Sequence, residues 1–150
     1  MVFMNNPNLR KSVLFICVHN SARSQMAEGF FKHYYGEKFN IYSAGSDPGE
    51  IHPMSIRVMA EIGIDLSKHR SKSLNEFEGH EMDYVVTVCG GGQSECPIFT
   101  DGRNYILQSF EDPSSFKGTE EEKMEQFKSL RDDLKIWLDQ FYTSILKDEI

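Results

Sequence analysis

The sequence is poor in basic residues and contains no long apolar run. Its 16 lysines and arginines are outnumbered by 23 aspartates and glutamates, which gives a formal net charge of −7. A nucleic-acid binder needs a basic face to neutralise phosphates, so this balance argues against that class of protein. No stretch approaches the roughly 20 consecutive apolar residues that a membrane-spanning helix requires. We therefore expect neither a nucleic-acid partner nor a membrane partner.

Cysteine is also scarce, since only Cys17, Cys89 and Cys96 occur. The N-terminal segment MVFMNNPNLRKS lacks the apolar core of a secretory signal, which favours a flexible leader over residues 1–11 and a cytoplasmic location. In a reducing compartment an odd number of cysteines does not predict a disulfide framework. Each cysteine is by default a small buried hydrophobe, and the alternatives are a nucleophile, a metal ligand or a redox pair.

What is present fits one globular domain. The chain has 150 residues, of which 39% are hydrophobic and 26% charged, enough to form an ordinary core. There is no internal repeat and no linker. We assign residues 12–150 to a single domain and expect a monomer.

Four apolar runs have the composition of strands, and three periodic segments predict helices. The predicted strands are Ser12–Val18, Phe39–Gly45, Asp83–Cys89 and Asn104–Phe110. One helix begins at Ser24 and carries an apolar stripe of Met26, Ala27, Phe30, Phe31, Tyr34 and Tyr35; another runs from Pro53 through Ile62 to Gly63; the last includes Phe127 to Ile145. Strands that alternate with helices predict an α/β three-layer sandwich, with a four-stranded parallel sheet flanked by helices. Ligands bind such sheets beyond the carboxyl ends of the strands.

The segment CVHNSARS places a cysteine and an arginine between the first predicted strand and the first helix. A loop there can turn successive backbone N–H groups inward as an anion nest, and Arg23 adds a planar fork of donors. The same positive field would stabilise a Cys17 thiolate, and Ser24 can donate a hydrogen bond to its sulfur. The alternative is a core cysteine beside a surface arginine. The predicted oxyanion-binding residues are Val18, His19, Asn20, Ser21, Ala22, Arg23 and Ser24.

This loop resembles the phosphate-binding loop of the low-molecular-weight tyrosine phosphatases and of the arsenate reductases built on that fold. The string NSARSQMAEG is similar to the reductase branch, and YSAG, IGIDLSKHRSKSL and DYVVTVC extend the resemblance over roughly Val13 to Leu138. It implies a low-molecular-weight phosphatase-like fold and a thioredoxin-coupled arsenate reductase, with phosphate and sulfate as competing oxyanions. Cys17 would be the nucleophile and Arg23 the oxyanion clamp.

The segment VVTVCGGGQSECPIF holds the other two cysteines on either side of a triple glycine. Three glycines confer backbone freedom, so Gly90–Gly92 can act as a hinge. The bare pattern also fits a mobile loop with incidental thiols. The resemblance implies a relay in which Cys89 attacks Cys17 and Cys96 then attacks Cys89, with thioredoxin or a glutaredoxin–glutathione pair as the external reductant. No other cofactor is implied.

In the segment FEDPSS, Asp112 precedes a proline, which biases it toward an extended conformation at the start of a loop. The same Asp-Pro pattern also fits an aspartate in a tight turn with no catalytic role. By the resemblance, Asp112 is the general acid that protonates the leaving oxygen. The neighbouring Glu111 is the second candidate for the acid. Side chains alternate in direction along an extended segment, so that of Glu111 would point away from the oxyanion loop.

No metal site is predicted, because the chain offers neither a second close cysteine pair nor a histidine cluster. His19 is expected to be an exposed loop residue, and His33, His52, His69 and His80 are expected on the surface. Some members of the resembled family bind potassium beside the loop with Asn, Glu, Ser and Asp side chains. Asn20, Glu28 and Ser43 match three of these, whereas Lys72 stands at the fourth position and could pair with Glu28; the alternative is that Lys72 is a solvated surface charge. We therefore expect these four residues to support the loop without potassium.

Two other functions fit parts of the pattern. A tyrosine phosphatase would use Cys17, Arg23 and Asp112 but would need neither Cys89 nor Cys96. The serines directly after Asp112-Pro113, where phosphatases of this fold place aromatic residues, weaken that interpretation without excluding a weak side activity. A non-catalytic oxyanion-binding or redox-sensing module would bind the anion without turnover.

Overall fold

Four short apolar strands form one parallel sheet. The computed structural model describes residues 10–89 and 97–148. Its strands are β1 (Lys11–Cys17), β2 (Phe39–Gly45), β3 (Met82–Thr87) and β4 (Gly102–Leu107). They lie in the order β2-β1-β3-β4, and every neighbouring pair is parallel. The predicted four-stranded parallel sheet flanked by helices is confirmed.

The helices are α1 (Arg23–Tyr35), α2 (Pro53–Ala60) and α3 (Glu120–Asp148), and single 3₁₀ turns occur at Leu74–Phe77 and Pro113–Ser115. Helices α1 and α2 follow β1 and β2, and α3 follows β4. Within the described ranges, no helix is both long and apolar enough to cross a membrane.

Two helical predictions need correction. Helix α2 ends at Ala60 rather than Gly63, because the chain turns and Gly63 adopts a left-handed φ of 83°, typical of a glycine after a helix. Ile62 is consequently exposed. In α1, Tyr34 leaves the predicted stripe for solvent, whereas all nine residues from Arg23 to Phe31 are buried. The first half of α1 is enclosed on every side.

The strands end earlier than predicted. β3 stops at Thr87, two residues before Cys89, and β4 stops at Leu107, three residues before Phe110. The amide of Val88 still donates to the carbonyl of Ile16, so Cys89 lies one residue beyond the last pairing contact. Most of the predicted leader (residues 1–9), the predicted hinge Gly90–Gly92 and Cys96 lie outside the described residues.

Both faces of the central strand β1 are covered. Val13 and Phe15 belong to the larger core cluster, which α1, α2 and α3 complete. Leu14 and Ile16 belong to a smaller cluster on the other face, closed by Phe99 and by the 3₁₀ turn Leu74–Phe77. A strand buried on both faces reads as a continuous apolar run, which is why β1 is conspicuous in the sequence. The carboxyl end of β1 therefore emerges from the middle of the core.

Candidate functional site

A cavity of about 320 Å³ opens at the carboxyl edge of the sheet. Cys17 at the end of β1, Arg23 at the start of α1 and Asp112 from the segment after β4 all line it, together with loop residues His19, Ser21 and Ala22. Residues far apart in the chain thus share one pocket, at the edge where parallel sheets bind ligands. The volume is ample for a tetrahedral oxyanion.

The loop between β1 and α1 is shaped by one glycine and one asparagine. Gly45 of β2 pairs in register with Cys17, and a Cβ atom there would lie 2.4 Å from the carbonyl oxygen of Val18. Only glycine lets the loop close onto β2 at this point. Asn20 adopts a left-handed φ of 50°, which asparagine tolerates better than most side chains. The loop conformation therefore depends on the residue type at both positions, one within the loop and one on the neighbouring strand.

Cys17 is 2% exposed, and its sulfur lies 2.9 Å from the hydroxyl of Ser24. The same hydroxyl accepts a hydrogen bond from Asn20 Nδ2 at 2.8 Å, which leaves its own hydrogen free to donate to the sulfur. Ser24 therefore fixes the position of Cys17 Sγ at the end of β1. Cys17 is a free cysteine.

Behind the loop, a buried network ends at a carboxylate. Asn20 Nδ2 also donates to Ser43 Oγ at 3.0 Å, and Ser43 donates to Glu28 Oε1 at 2.6 Å. Asn20 Oδ1 accepts from Gln25 Nε2 at 2.8 Å and from the backbone amide of Lys72 at 2.9 Å. Asn20, Gln25 and Ser43 are fully buried. The side chain of Asn20 thereby connects β1, α1, β2 and the segment before β3.

The start of α1 is free to face an anion. Ala22 is the N-cap residue, and no side chain caps the helix. The first N–H groups of a helix have no partner within it, and they carry its positive dipole end. A bound oxyanion would meet these donors directly.

Arg23 joins the pocket to the segment that carries Asp112. The arginine is 4% exposed; its Nη1 donates to the carbonyl oxygen of Phe110 at 3.1 Å, and its Nη2 lies 3.7 Å from Asp112 Oδ1. Asp112 caps the 3₁₀ turn after it by accepting from the amide of Ser114 at 3.0 Å. Glu111 is exposed and does not line the pocket. An acid and a cation thus lie side by side in the pocket that Cys17 lines.

Lys72 lies against the buried carboxylate of Glu28, with Nζ and Oε1 3.6 Å apart. Burial on its own would raise the pKa of Glu28, but Lys72, the Ser43 hydroxyl and Lys32 together hold it below the usual value. Burial lowers the pKa of Lys72, and Glu28 opposes that effect. The Glu28 oxygens are thus already satisfied by cations and hydroxyl donors of the chain. A potassium ion does not fit beside a lysine ammonium in this position.

Two histidines expected on the surface are half-buried and bonded to other parts of the structure. His69 donates to Gln25 Oε1 at 3.1 Å and lies 3.4 Å from Glu28 Oε2, and burial lowers its pKa. His52 caps α2 and lines the pocket. Gln25, which is buried beside His69, is a further residue of the site that the sequence does not predict. Spacing gives no signal for His69 or Gln25, whereas Pro53 at the first helical position marks His52 as the N-cap residue. His19, His33 and His80 are exposed, as expected.

Cys89 is fully buried and disulfide-bonded. It follows β3, which pairs directly with β1, so Cys17 and Cys89 emerge at the same edge of the sheet. Cys96, the third predicted relay residue, lies outside the described residues. Among the residues that are described, no group of three or more histidine, cysteine, aspartate or glutamate side chains is arranged to hold a metal ion.

Known proteins resemble this chain over most of its length. The model of the low molecular weight phosphotyrosine protein phosphatase family matches residues 12–149. The arsenate reductase of Halalkalibacterium halodurans is 38% identical over 125 residues, covering 83% of this chain and 90% of that protein. A solved arsenate reductase in its phosphate binding state superposes with a TM-score of 0.76 at 32% identity, over 90% of this chain and 98% of the other. For the thioredoxin-dependent arsenate reductase of Corynebacterium glutamicum the TM-score is 0.63 and the identity 29%, over 90% and 63%.

Proposed function

Because the chain belongs to the low molecular weight phosphotyrosine protein phosphatase family, we propose that it is the arsenate-reducing kind of member, converting arsenate to arsenite by a thiol–disulfide relay. The observation that carries the proposal is the placement of two buried cysteines, Cys17 and Cys89, at the ends of adjacent strands. A phosphatase of this fold needs only the first. After reduction, Cys89 would be a second thiol at the same edge and could supply electrons to the arsenic bound at Cys17.

The first step uses the pocket lined by Cys17, Arg23 and Asp112. Arsenate would bind against the start of α1, with Arg23 donating to its oxygens. The Cys17 thiolate would attack arsenic while Asp112 protonates a departing oxygen, which leaves as water. The product of this step is arsenate bound to sulfur, still As(V).

The electron transfer follows when the Cys89 thiolate attacks Cys17 Sγ. A sulfur–sulfur bond forms, and the arsenic–sulfur bond breaks with its electron pair moving to arsenic, which leaves as arsenite, As(III). Cys96 would then attack Cys89, returning Cys17 to a thiolate. This exchange leaves Cys89 in a disulfide and Cys17 free, and the two described cysteines have that state. We propose that thioredoxin is the external dithiol that reduces the disulfide formed by Cys89 and Cys96, with glutaredoxin and glutathione as the alternative reductant.

The test is arsenate-dependent NADPH oxidation, coupled to thioredoxin and its reductase in one reaction and to glutathione and glutaredoxin in another. Cys89→Ser and Cys96→Ser should each abolish multiple turnover, with Cys96→Ser still releasing up to one arsenite per chain. Cys17→Ser should release none and serves as the baseline. Full multiple turnover by either relay variant contradicts the relay, and oxyanion binding without arsenite release by the unmodified chain indicates a binding module instead.

Phosphatase chemistry is the second candidate, supported by the family and by the complete set of Cys17, Arg23 and Asp112. Among the described residues that line the cavity there is no phenylalanine, tyrosine or tryptophan to stack against an aryl group. We therefore expect at most slow hydrolysis of aryl phosphates. In the same set of variants it would survive loss of Cys89 or Cys96 and vanish in Cys17→Ser.

A further inference from the structure

His52 connects the oxyanion loop to α2 through its backbone and its side chain. Its amide donates to the carbonyl oxygen of Ser21 at 3.0 Å, which fastens the loop to the start of the helix. Its Nδ1 accepts a hydrogen bond from the amide of Met54 at 3.1 Å and so caps α2. The residue also lines the same cavity as Cys17 and Asp112. It is therefore fixed at the pocket by two bonds that require no ligand.

The cap determines where the ring carries its proton. A nitrogen that accepts a hydrogen bond from an amide carries no hydrogen, so a neutral His52 ring is protonated on Nε2. Burial lowers the pKa of His52, and Lys123 lowers it further, so the neutral form prevails at neutral pH. The ring is held against Phe127, with centroids 4.8 Å apart. The position and the tautomer of the imidazole are both set before an anion enters.

The donors identified so far all lie on α1 and the loop before it. The backbone N–H groups at the start of α1 and the guanidinium of Arg23 approach an anion from that side, whereas Asp112 offers oxygen atoms. The oxygen atoms of a tetrahedral oxyanion point in different directions, so an anion in this cavity also faces walls other than α1 and its loop. His52 supplies a wall residue from a different element, with one N–H group not used by the cap.

We propose that His52 is a binding residue for the oxyanion, and that its Nε2–H group donates a hydrogen bond to an anion oxygen that the α1 side leaves unserved. The proposal rests on the oxyanion pocket of the proposed function, but not on turnover. It assigns two tasks to one ring, since Nδ1 maintains the helix and Nε2 binds the ligand. Because the donor is neutral, it would contribute to binding without gaining or losing a proton.

The experiment separates the two tasks with His52→Asn. Asparagine is a good N-cap residue and keeps an acceptor for the Met54 amide, but it has no group at the position of Nε2. The probe is inorganic phosphate, titrated calorimetrically into the reduced protein at neutral pH without any reductase partner. A lost hydrogen bond to a charged ligand corresponds to about a tenfold or larger rise in Kd. The melting temperature should stay close to that of the unmodified chain.

His33→Asn is the matched control, because it removes an exposed imidazole from α1 and should leave Kd unchanged. A folded His52→Asn variant with a phosphate Kd within about twofold of the unmodified chain would overturn the proposal and leave His52 as a cap alone. If arsenate is turned over, the same change should raise KM more than it lowers kcat. If arsenate is not turned over, the phosphate titration still decides the role of His52.

A second measurement uses the unmodified chain and does not depend on how any variant folds. In protein labelled with ¹⁵N-histidine, the Nε2–H resonance of His52 should shift when phosphate is added, whereas Nδ1 should remain an unprotonated acceptor. A resonance that does not respond to saturating phosphate would contradict the contact. A ring protonated on Nδ1 would contradict the tautomer.

Discussion

The two sides of the pocket are held in different ways. The oxyanion loop, residues 17–24, rests on fully buried side chains, with Asn20 alone bonded to four partners from three other parts of the chain. In the acid loop, residues 110–116, Phe110 and Phe116 pack into the core, but the polar groups around Asp112 bond mainly within the loop, as in the hydrogen bonds that Ser114 and Ser115 donate to Asp112. Arg23 is the described contact that spans both loops.

This difference has a physical reason. The oxyanion loop must present several backbone N–H groups at fixed angles, and such preorganisation requires support from many directions. A general acid needs only to reach one leaving oxygen, so local bonds and a neighbouring cation suffice. Changes to the polar side chains of the acid loop should therefore affect chemistry with little effect on folding, whereas changes behind the oxyanion loop should affect both.

The largest effect is expected from Asp112→Asn. The amide keeps an oxygen that can cap the 3₁₀ turn, but it cannot deliver a proton to the departing oxygen. Arsenate turnover should fall by about 10²- to 10⁴-fold, the usual contribution of a general acid. Steady-state kinetics measures the loss, and thermal unfolding should show almost no change in stability.

Glu111→Gln is the control for this substitution, because Glu111 is adjacent and lies outside the pocket lining. It should retain nearly full activity. If Glu111→Gln lost as much activity as Asp112→Asn, the acid would be assigned to the wrong residue. If Asp112→Asn also unfolded several degrees earlier, the acid loop would carry more of the fold than its contacts indicate.

Next in size is a loss of stability at Asn20. Asn20→Gly keeps the left-handed backbone but removes all four side-chain bonds, so the free energy of unfolding should fall by about 2–4 kcal/mol. Asn20→Ala should lose about 1 kcal/mol more, because alanine is strained at a φ of 50°. Urea unfolding of the two variants separates lost bonds from backbone strain.

The acid loop offers a matched comparison. Ser115→Ala removes the hydroxyl that donates to the carbonyl of Asp112 at 2.6 Å, on the exposed side of the molecule. Its effect should stay below about 1 kcal/mol, because water replaces a partner that is already exposed. Equal losses in Ser115→Ala and Asn20→Gly would remove the distinction between the two loops.

The same contrast explains how far the sequence predicts the structure. The strands and the sheet edge follow from apolar runs such as Val13–Ile16. Cys17, Arg23 and Asp112 can be recognised because each belongs to a short sequence motif. Gln25 and His69 could not be placed in the same way, and for His52 the following proline indicates the helix cap but not the place in the pocket. Their burial depends on which segments pack across α1 and α2, a tertiary property that leaves no period in the chain.

Helix ends show a related limit. The apolar spacing of α2 continues through Ile62, yet the chain leaves the helix after Ala60 and turns at Gly63. Periodicity records which residues are apolar, whereas the end of a helix depends on where its last carbonyls find partners. Gly63 predicts that the helix ends nearby, but it does not determine which residue is the last helical one.

The smallest effect concerns the cation behind the oxyanion loop. Since the Lys72 ammonium is already 3.6 Å from Glu28, replacing sodium by potassium should change neither the activity nor, by more than about 1 °C, the melting temperature. Lys72→Asp would instead place two carboxylates together beside Ser43, a set of oxygen donors suited to a bound cation. That variant should be less stable in sodium and regain about 3–5 °C in potassium, as expected for a ligand present at about ten times its Kd. A clear stabilisation of the unmodified chain by potassium would show that Lys72 leaves room for the ion, and the oxyanion loop would then depend on solution conditions as the acid loop does not.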